Sequence, residues 1–307
     1  MARTWPAQTW LARTWLDRIE QLDPVLDCVE VYRITTSVEF PWDLNQALSF
    51  ALFRTYAVPS IGSLLARTGE FTGRVQQRYE DTALLLGAVL EHGPDSADGR
   101  AAVRRINSMH GAYDISNEDL RYVLSTFVVM PIRWLDAYGW RPLSQAERVA
   151  SVHYYRRLGA LMGIRDVPGT WQDFEALMQA YEDEHFGPDP GARRVADATL
   201  GLLATLPPNH LLPRRLVDAM SRALMDQPLL DALGYARPHP LTVRAVRVGL
   251  ALRGRLVRLL PERREPLHVR QLSSIRGYPD GVEVAALSTF PRGAFPGGCP
   301  SGGRGEG

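Results

Sequence analysis

The sequence predicts an all-α protein, and three observations carry the prediction. Apolar residues recur at helical spacing in about ten successive segments, interrupted by Pro and Gly. Three of those segments open on a Ser/Thr-x-x-acid signature, Ser116 to Asp119, Ser144 to Glu147 and Thr170 to Asp173, in which the hydroxyl caps the first free amides of a helix. Only one stretch, residues 29–40 (VEVYRITTSVEF), is β-branched enough to read as a strand or extended connection. No long polar linker breaks the series, so residues 1–290 read as a single all-α domain. Residues 291–307, rich in Gly and Pro, read as a disordered tail.

Taken in order, residues 8–22 place Trp10, Leu11, Trp15, Ile19 and Leu22 on one helical face, and Asp23-Pro24 stops the pattern. From Pro41, Leu44, Ala47, Leu48, Ala51 and Leu52 form a second face. Val58-Pro59 starts another helix through Ile61, Leu64 and Leu65 to Thr68-Gly69. The segment entered at Arg74 carries Leu84, Leu85, Leu86, Val89 and Leu90 for burial and ends at Gly93-Pro94. A polar turn, DSADGR, leads to a helix with Val103, Ile106 and Met109 on one side, broken at Gly111. A long apolar helix then runs from Asn117 to Trp134 or beyond, with Pro131 as a kink position. The C-terminal third repeats the pattern in VADATLGLLATL, PRRLVDAMSRALM and LTVRAVRVGLALRGRLVRLL, separated by Pro207-Pro208, Pro213 and Pro240.

Composition narrows the function classes. The 307 residues hold 35 Lys plus Arg against 34 Asp plus Glu, and a net charge of +1 gives no electrostatic case for nucleic acid or anionic lipid as the main partner. Cys28 and Cys299 are the only cysteines, too few for a disulfide framework or a cysteine metal site, which suits a reducing, cytoplasmic location. The first residues lack the form of a signal peptide. The longest apolar run, Val123 to Ile132, is interrupted by Ser125, Thr126 and Pro131, so no membrane span is expected. No G-x-S-x-G, P-loop or G-x-G-x-x-G motif is present, which removes the usual hydrolase and nucleotide readings.

Two groups of residues remain as candidates for chemistry. Arg78, Asp81 and Thr82 sit at i, i+3 and i+4 and share one helical face, where a solvated Arg–Asp ion pair is the plain reading. Against it, Leu84 to Leu86 follow at once, and a charged trio on a buried helix needs a partner. His110 lies beside the apolar face of the next helix, as a core histidine or as a metal ligand. Elsewhere, Glu182 and His185 have the Glu-x-x-His spacing that a di-iron bundle uses twice. Here it occurs once, since Asn107 and Ala150 stand three before His110 and His153, and a solvated helix end accounts for it.

Six blocks, FPWDLNQAL, RTYAVPSIGSLLARTGEF, QQRYEDT, RRINSMHGAYDISNEDLRYVL, PIRWLDAYGWRPLSQAER and LGALMGIRDVP, together resemble the MpaB-type oxygenase family, which extends to the rubber-cleaving latex clearing proteins. The likeness covers most of residues 38–190 in matching order and is looser in the C-terminal third. The resemblance implies an all-α, globin-like core with extra helices, a b-type haem held between helices, and dioxygen as co-substrate. It places the proximal haem histidine on His110, and the distal Arg-x-x-[Lys or Asp]-Thr motif on Arg78, Asp81 and Thr82. The 28 residues from Thr82 to His110 suffice for two antiparallel helices that grip a flat cofactor from both faces. Arg105 is a candidate partner for a haem propionate.

Where the latex clearing proteins have a lysine able to occupy the sixth iron site, this chain has Asp81, so that position is expected to be open. The resemblance therefore implies a haem-dependent oxygenase, helped by an external reductant, acting on an apolar small molecule by C=C cleavage or hydroxylation. The fungal member looks membrane-anchored, whereas this chain, with no spanning segment, is expected to be soluble. Residues 44–66 and 117–135 are expected to line a dry pocket for it. The alternatives are a non-haem di-iron oxygenase using Glu182 and His185, and a helical haem or lipid carrier without turnover.

Overall fold

Helix boundaries fall where the sequence supplies a cap or a proline. In the computed structural model, which describes residues 15–278 and Leu287, the chain forms fourteen α-helices, and no strand occurs among the described residues. The first are α1 (Trp15–Glu20), α2 (Cys28–Ile34), α3 (Pro41–Tyr56), α4 (Pro59–Thr68) and α5 (Glu70–Gly73). Next come α6 (Val75–His92), α7 (Ala97–His110), α8 (Asn117–Tyr138), α9 (Gln145–Leu161) and α10 (Trp171–His185). The series ends with α11 (Pro190–Leu203), α12 (Arg214–Arg222), α13 (Gln227–Ala232) and α14 (Pro240–Val257). All three predicted caps form: Ser116 accepts from the Asp119 amide at 2.9 Å, Ser144 from Glu147 at 3.3 Å and Thr170 from Asp173 at 3.2 Å. Pro131 lies inside a continuous α8.

The extended reading of residues 29–40 is overturned. They form α2 and a π-helical turn, Thr35–Glu39. The β-branched residues that suggested a strand pack α2 against α9, and burial outweighs their weak local preference. The Thr36 hydroxyl donates back to the Tyr32 carbonyl at 2.8 Å, so the threonine supports the helical turn. Trp10 and Leu11, Cys299 and the tail predicted over 291–307 lie outside the described residues.

One cluster of buried apolar side chains runs from Tyr32 to Leu287. Phe50 of α3 and Trp134 of α8 stack at 5.7 Å at its centre, and α6 packs antiparallel to α7 at its side. Two charged assemblies lock this core. Arg54 of α3 donates through Nε to Glu182 of α10 at 2.6 Å and through Nη1 to Asp226 at 2.5 Å, while the Tyr122 hydroxyl donates to Glu182 at 3.0 Å. Arg253 of α14 donates to Asp43 of α3 at 2.7 Å, and the Trp134 indole reaches the same carboxylate at 3.1 Å. Among the described residues, no single helix is long and apolar enough to cross a membrane. The pair α3 and α4 reaches the length only across a bend of 99°.

Candidate functional site

The α6–α7 hairpin closes tightly because its turn admits no side chain at two places. Gly93 has φ +82°, and a Cβ on Gly99 would stand 1.9 Å from the Gly93 carbonyl oxygen. Ser96 then caps α7 by accepting from the Gly99 amide at 2.9 Å. The return brings His110, the last residue of α7, into the field of Arg78 near the start of α6.

Asp81 of the α6 trio is buried and Arg78 and Thr82 are half-buried, and the contacts differ from the expected ion pair. Arg78 donates through Nη1 to the Thr82 hydroxyl at 2.8 Å, and that hydroxyl donates to the Arg78 carbonyl at 3.0 Å. The guanidinium lies 5.3 Å from the Phe71 ring centre. Burial pulls the Arg78 pKa below its usual value, against the charges of Asp81 and Glu70 and the phenols of Tyr56 and Tyr113. Asp81 is fully buried, and one oxygen, Oδ1, accepts from the Tyr278 hydroxyl. Its pKa is raised, chiefly by burial, with the Tyr278 bond and the Arg78 and Arg105 charges opposing. Thr82, not Asp81, is the side chain that fixes Arg78.

His110 carries a buried Nδ1 with no hydrogen-bond partner. Burial first, and the Arg78 charge second, lower its pKa from 6.5 to about 4, so the imidazole is neutral at ordinary pH and keeps a free lone pair. Arg105 donates through Nε to the Leu287 carbonyl at 2.6 Å. All five candidate residues thus come together, linked by hydrogen bonds or by mutual charge effects.

Buried polar atoms left without a partner concentrate here. His110 Nδ1, Asp81 Oδ2, Glu70 Oε2 and the Tyr56 hydroxyl are all unpaired, and each of their residues is electrostatically coupled to Arg78. Such groups are costly in a folded core unless a water, ion or cofactor satisfies them. Sequence reading missed Tyr56 and Glu70 as site residues, although both lie in a family-like block. It also missed the segment that covers α6 from far along the chain. Glu80, fully buried, accepts from the Arg276 amide at 2.6 Å and the Gly277 amide at 3.1 Å, and Tyr278 follows onto Asp81. A Cβ at Gly277 would lie 2.4 Å from Glu80 Oε2, so a larger residue there would push this carboxylate aside.

Glu182 is not at a solvated helix end: it is 3% exposed and both of its oxygens are held by Arg54 and Tyr122. His185 lies against the Tyr181 ring. No group of three or more His, Cys, Asp or Glu that could hold a metal ion occurs among the described residues, so Glu182 and His185 have no companions for a di-iron site. Helices α3 and α8, expected to line a pocket, pack directly on each other. Two clefts lie elsewhere, one of about 560 Å³ beside α14 and one of about 440 Å³ near Cys28 and His153.

Comparison with known proteins agrees with this geometry. Residues 44–259, which include the whole α6–α7 hairpin, match the family model described as ER-bound oxygenase mpaB/B'/Rubber oxygenase, catalytic domain. The chain is 35% identical over 200 residues to the ER-bound oxygenase mpaB of Penicillium roqueforti, covering 59% of this chain and 67% of that one. It is 33% identical over 221 residues to the ER-bound oxygenase mpaB' of Penicillium brevicompactum, covering 66% and 52%. It spans about half the length of the two Penicillium brevicompactum relatives it matches. The fold resembles that of the latex clearing protein LCP in its closed state, with a TM-score of 0.50, 18% identity, and coverage of 87% of this chain and 74% of that one. The chain belongs to the family of the mpaB/B' oxygenases and rubber oxygenases.

Proposed function

We propose that the α6–α7 hairpin holds a b-type haem through His110, and that the protein uses it with dioxygen to oxidise an apolar small molecule. The observation that carries this reading is the cluster of unpaired buried polar atoms around Arg78, which includes a neutral imidazole nitrogen. When bound, haem iron supplies the binding and activation of dioxygen.

What the residues contribute follows from their surroundings. His110 offers a nitrogen lone pair because burial and the Arg78 charge keep it unprotonated. Arg78 keeps a positive charge in the buried site, held in place by Thr82 and by Phe71, where it can offset negative charge that develops nearby. Asp81 has a raised pKa and one free oxygen, so it can hold or release a proton at Oδ2 while Tyr278 fixes Oδ1. Arg105, already tied to the Leu287 carbonyl, is the cation placed to meet a propionate. Leu84, Leu85, Ile106 and Met109, all buried, exclude water. An external reductant, and a cytoplasmic location consistent with two isolated cysteines, complete the proposal.

The test is the visible spectrum of the protein made with ample haem supply. A Soret band with extractable haem is expected, and His110→Ala should lose or shift it. A colourless wild type with no extractable haem overturns the reading. An unchanged His110→Ala spectrum removes His110 as ligand. Oxygen uptake with a panel of prenylated aromatic compounds separates an oxygenase from a carrier, which would retain the cofactor and consume nothing.

A further inference from the structure

Net charge conceals a strongly polarised region. Between Asp231 and Glu262 the chain has six arginines and no acidic residue. Most of this stretch is α14, whose seating is fixed. Arg253 reaches Asp43, and Gly254 is pressed so close to α8 that a Cβ would lie 2.5 Å from the Tyr138 carbonyl oxygen. With that side turned inward, Leu241, Val248, Leu252 and Leu256 are each more than half exposed, and so are Leu259 and Leu260 beyond the helix end.

At 100° per residue, Leu241, Val248, Leu252 and Leu256 fall on one stripe of α14. The same arithmetic sets Arg244, Arg247, Arg255 and Arg258 along one flank of it. Among the described residues, none of these four arginines has a carboxylate within ion-pair distance. At the start of the helix, Arg237, Arg244 and Arg247, together with Arg222, line the 560 Å³ cleft, whose one carboxylate, Asp226, is engaged by Arg54.

We propose that the outward face of α14 is a membrane-binding surface, with its leucine stripe set into the headgroup region of an anionic lipid bilayer and its arginines on the lipid phosphates. The chemistry selects this occupant. An exposed apolar stripe bordered by unpaired arginines complements a surface that is apolar below and negative above. A second copy packed face to face would set like charges against one another without a counter-ion. The inference stands independently of the haem reading.

The test is co-sedimentation of the full chain with vesicles of phosphatidylcholine alone and with vesicles enriched in phosphatidylserine. Binding to the anionic vesicles and little to the neutral ones is expected, weakening as salt is raised. Arg244→Gln, Arg255→Gln and Arg258→Gln together should lower partitioning by roughly fivefold per arginine removed. Val248→Asp with Leu252→Asp should abolish it at an unchanged melting temperature. Failure to bind phosphatidylserine vesicles, or binding that both sets of variants retain, overturns the proposal. So does a concentration-dependent dimer that Val248→Asp with Leu252→Asp dissolves, which would make a second copy the occupant. A melting temperature several degrees lower in that variant also overturns it, because part of this chain would then cover the face.

Discussion

Two clusters of charge in the core are built to opposite ends. In the Arg54 cluster every carboxylate oxygen of Glu182 is engaged, by two guanidinium nitrogens and a tyrosine hydroxyl. In the Arg78 cluster Asp81, Glu70, Tyr56 and His110 each keep an atom without a partner. Desolvation costs are similar in kind, but only the first cluster offsets them internally. The contrast marks the first as a clamp between α3, α10 and the start of α13. The second leaves those atoms open, and the haem proposal rests on that difference.

The largest effect should come from breaking the clamp. Glu182→Ala leaves Arg54 buried with Asp226 alone, and a loss of about 3–5 kcal/mol is expected in urea denaturation. The melting temperature should fall by roughly 10 °C or more.

Next comes a pH effect in the haem-free protein. The folded pKa of His110 is depressed from 6.5 to about 4, so below pH 6.5 the unfolded chain takes up a proton that the folded chain refuses. Stability should therefore fall as pH drops from about 6.5 toward 4, by an amount on the order of 3 kcal/mol, and level off below. His110→Gln should flatten that window in denaturation curves taken across the pH range.

Asp81 sharpens the comparison because its sign is reversed. Its folded pKa is raised above 3.8, so ionising it costs stability at every pH above 3.8, with the cost complete once the folded pKa is passed. Asp81→Asn keeps an oxygen for Tyr278 and should stabilise the protein by roughly 1 kcal/mol at neutral pH, retain haem and lose turnover. Normal turnover would remove Asp81 from the chemistry. Glu182→Gln in the clamp should destabilise, and equal signs for the two substitutions would erase the distinction drawn here.

The smallest effect is expected at Tyr278. Tyr278→Phe deletes one hydrogen bond to Asp81 and should cost about 1 kcal/mol. Faster hydrogen exchange at the Arg276 and Gly277 amides is the accompanying local signature.

Helices were legible in the sequence because their causes are local. The apolar spacing of Leu84 to Leu90 and the caps at Ser116, Ser144 and Thr170 act within a few residues, and each marks a helix in the structure. Residues 29–40 misled because β-branching is a weak preference that packing against α9 overrides. Spacing failed for the charges for the same reason in reverse. Arg78 and Asp81 look like an ion pair at i, i+3, whereas Glu182 looks solvated. The true partners, Tyr278 and Arg54, lie 197 and 128 residues away. His110 and the trio were singled out only by likeness to a family, since a lone histidine beside an apolar face has no spacing that marks it.

The segment that crosses α6 bears on how the protein is made. The contacts of Gln76 with the Ser274 carbonyl, of Glu80 with the Arg276 amide and of Asp81 with Tyr278 join positions 196 to 198 residues apart. During synthesis the α6–α7 hairpin, a local structure, is complete long before its covering segment leaves the ribosome. At ordinary elongation rates the delay is roughly 10–40 s. For that interval the Glu80 and Asp81 carboxylates lack the partners that later cover them, so the order of translation itself leaves a period in which this face of the hairpin is open to solvent before the chain closes over it.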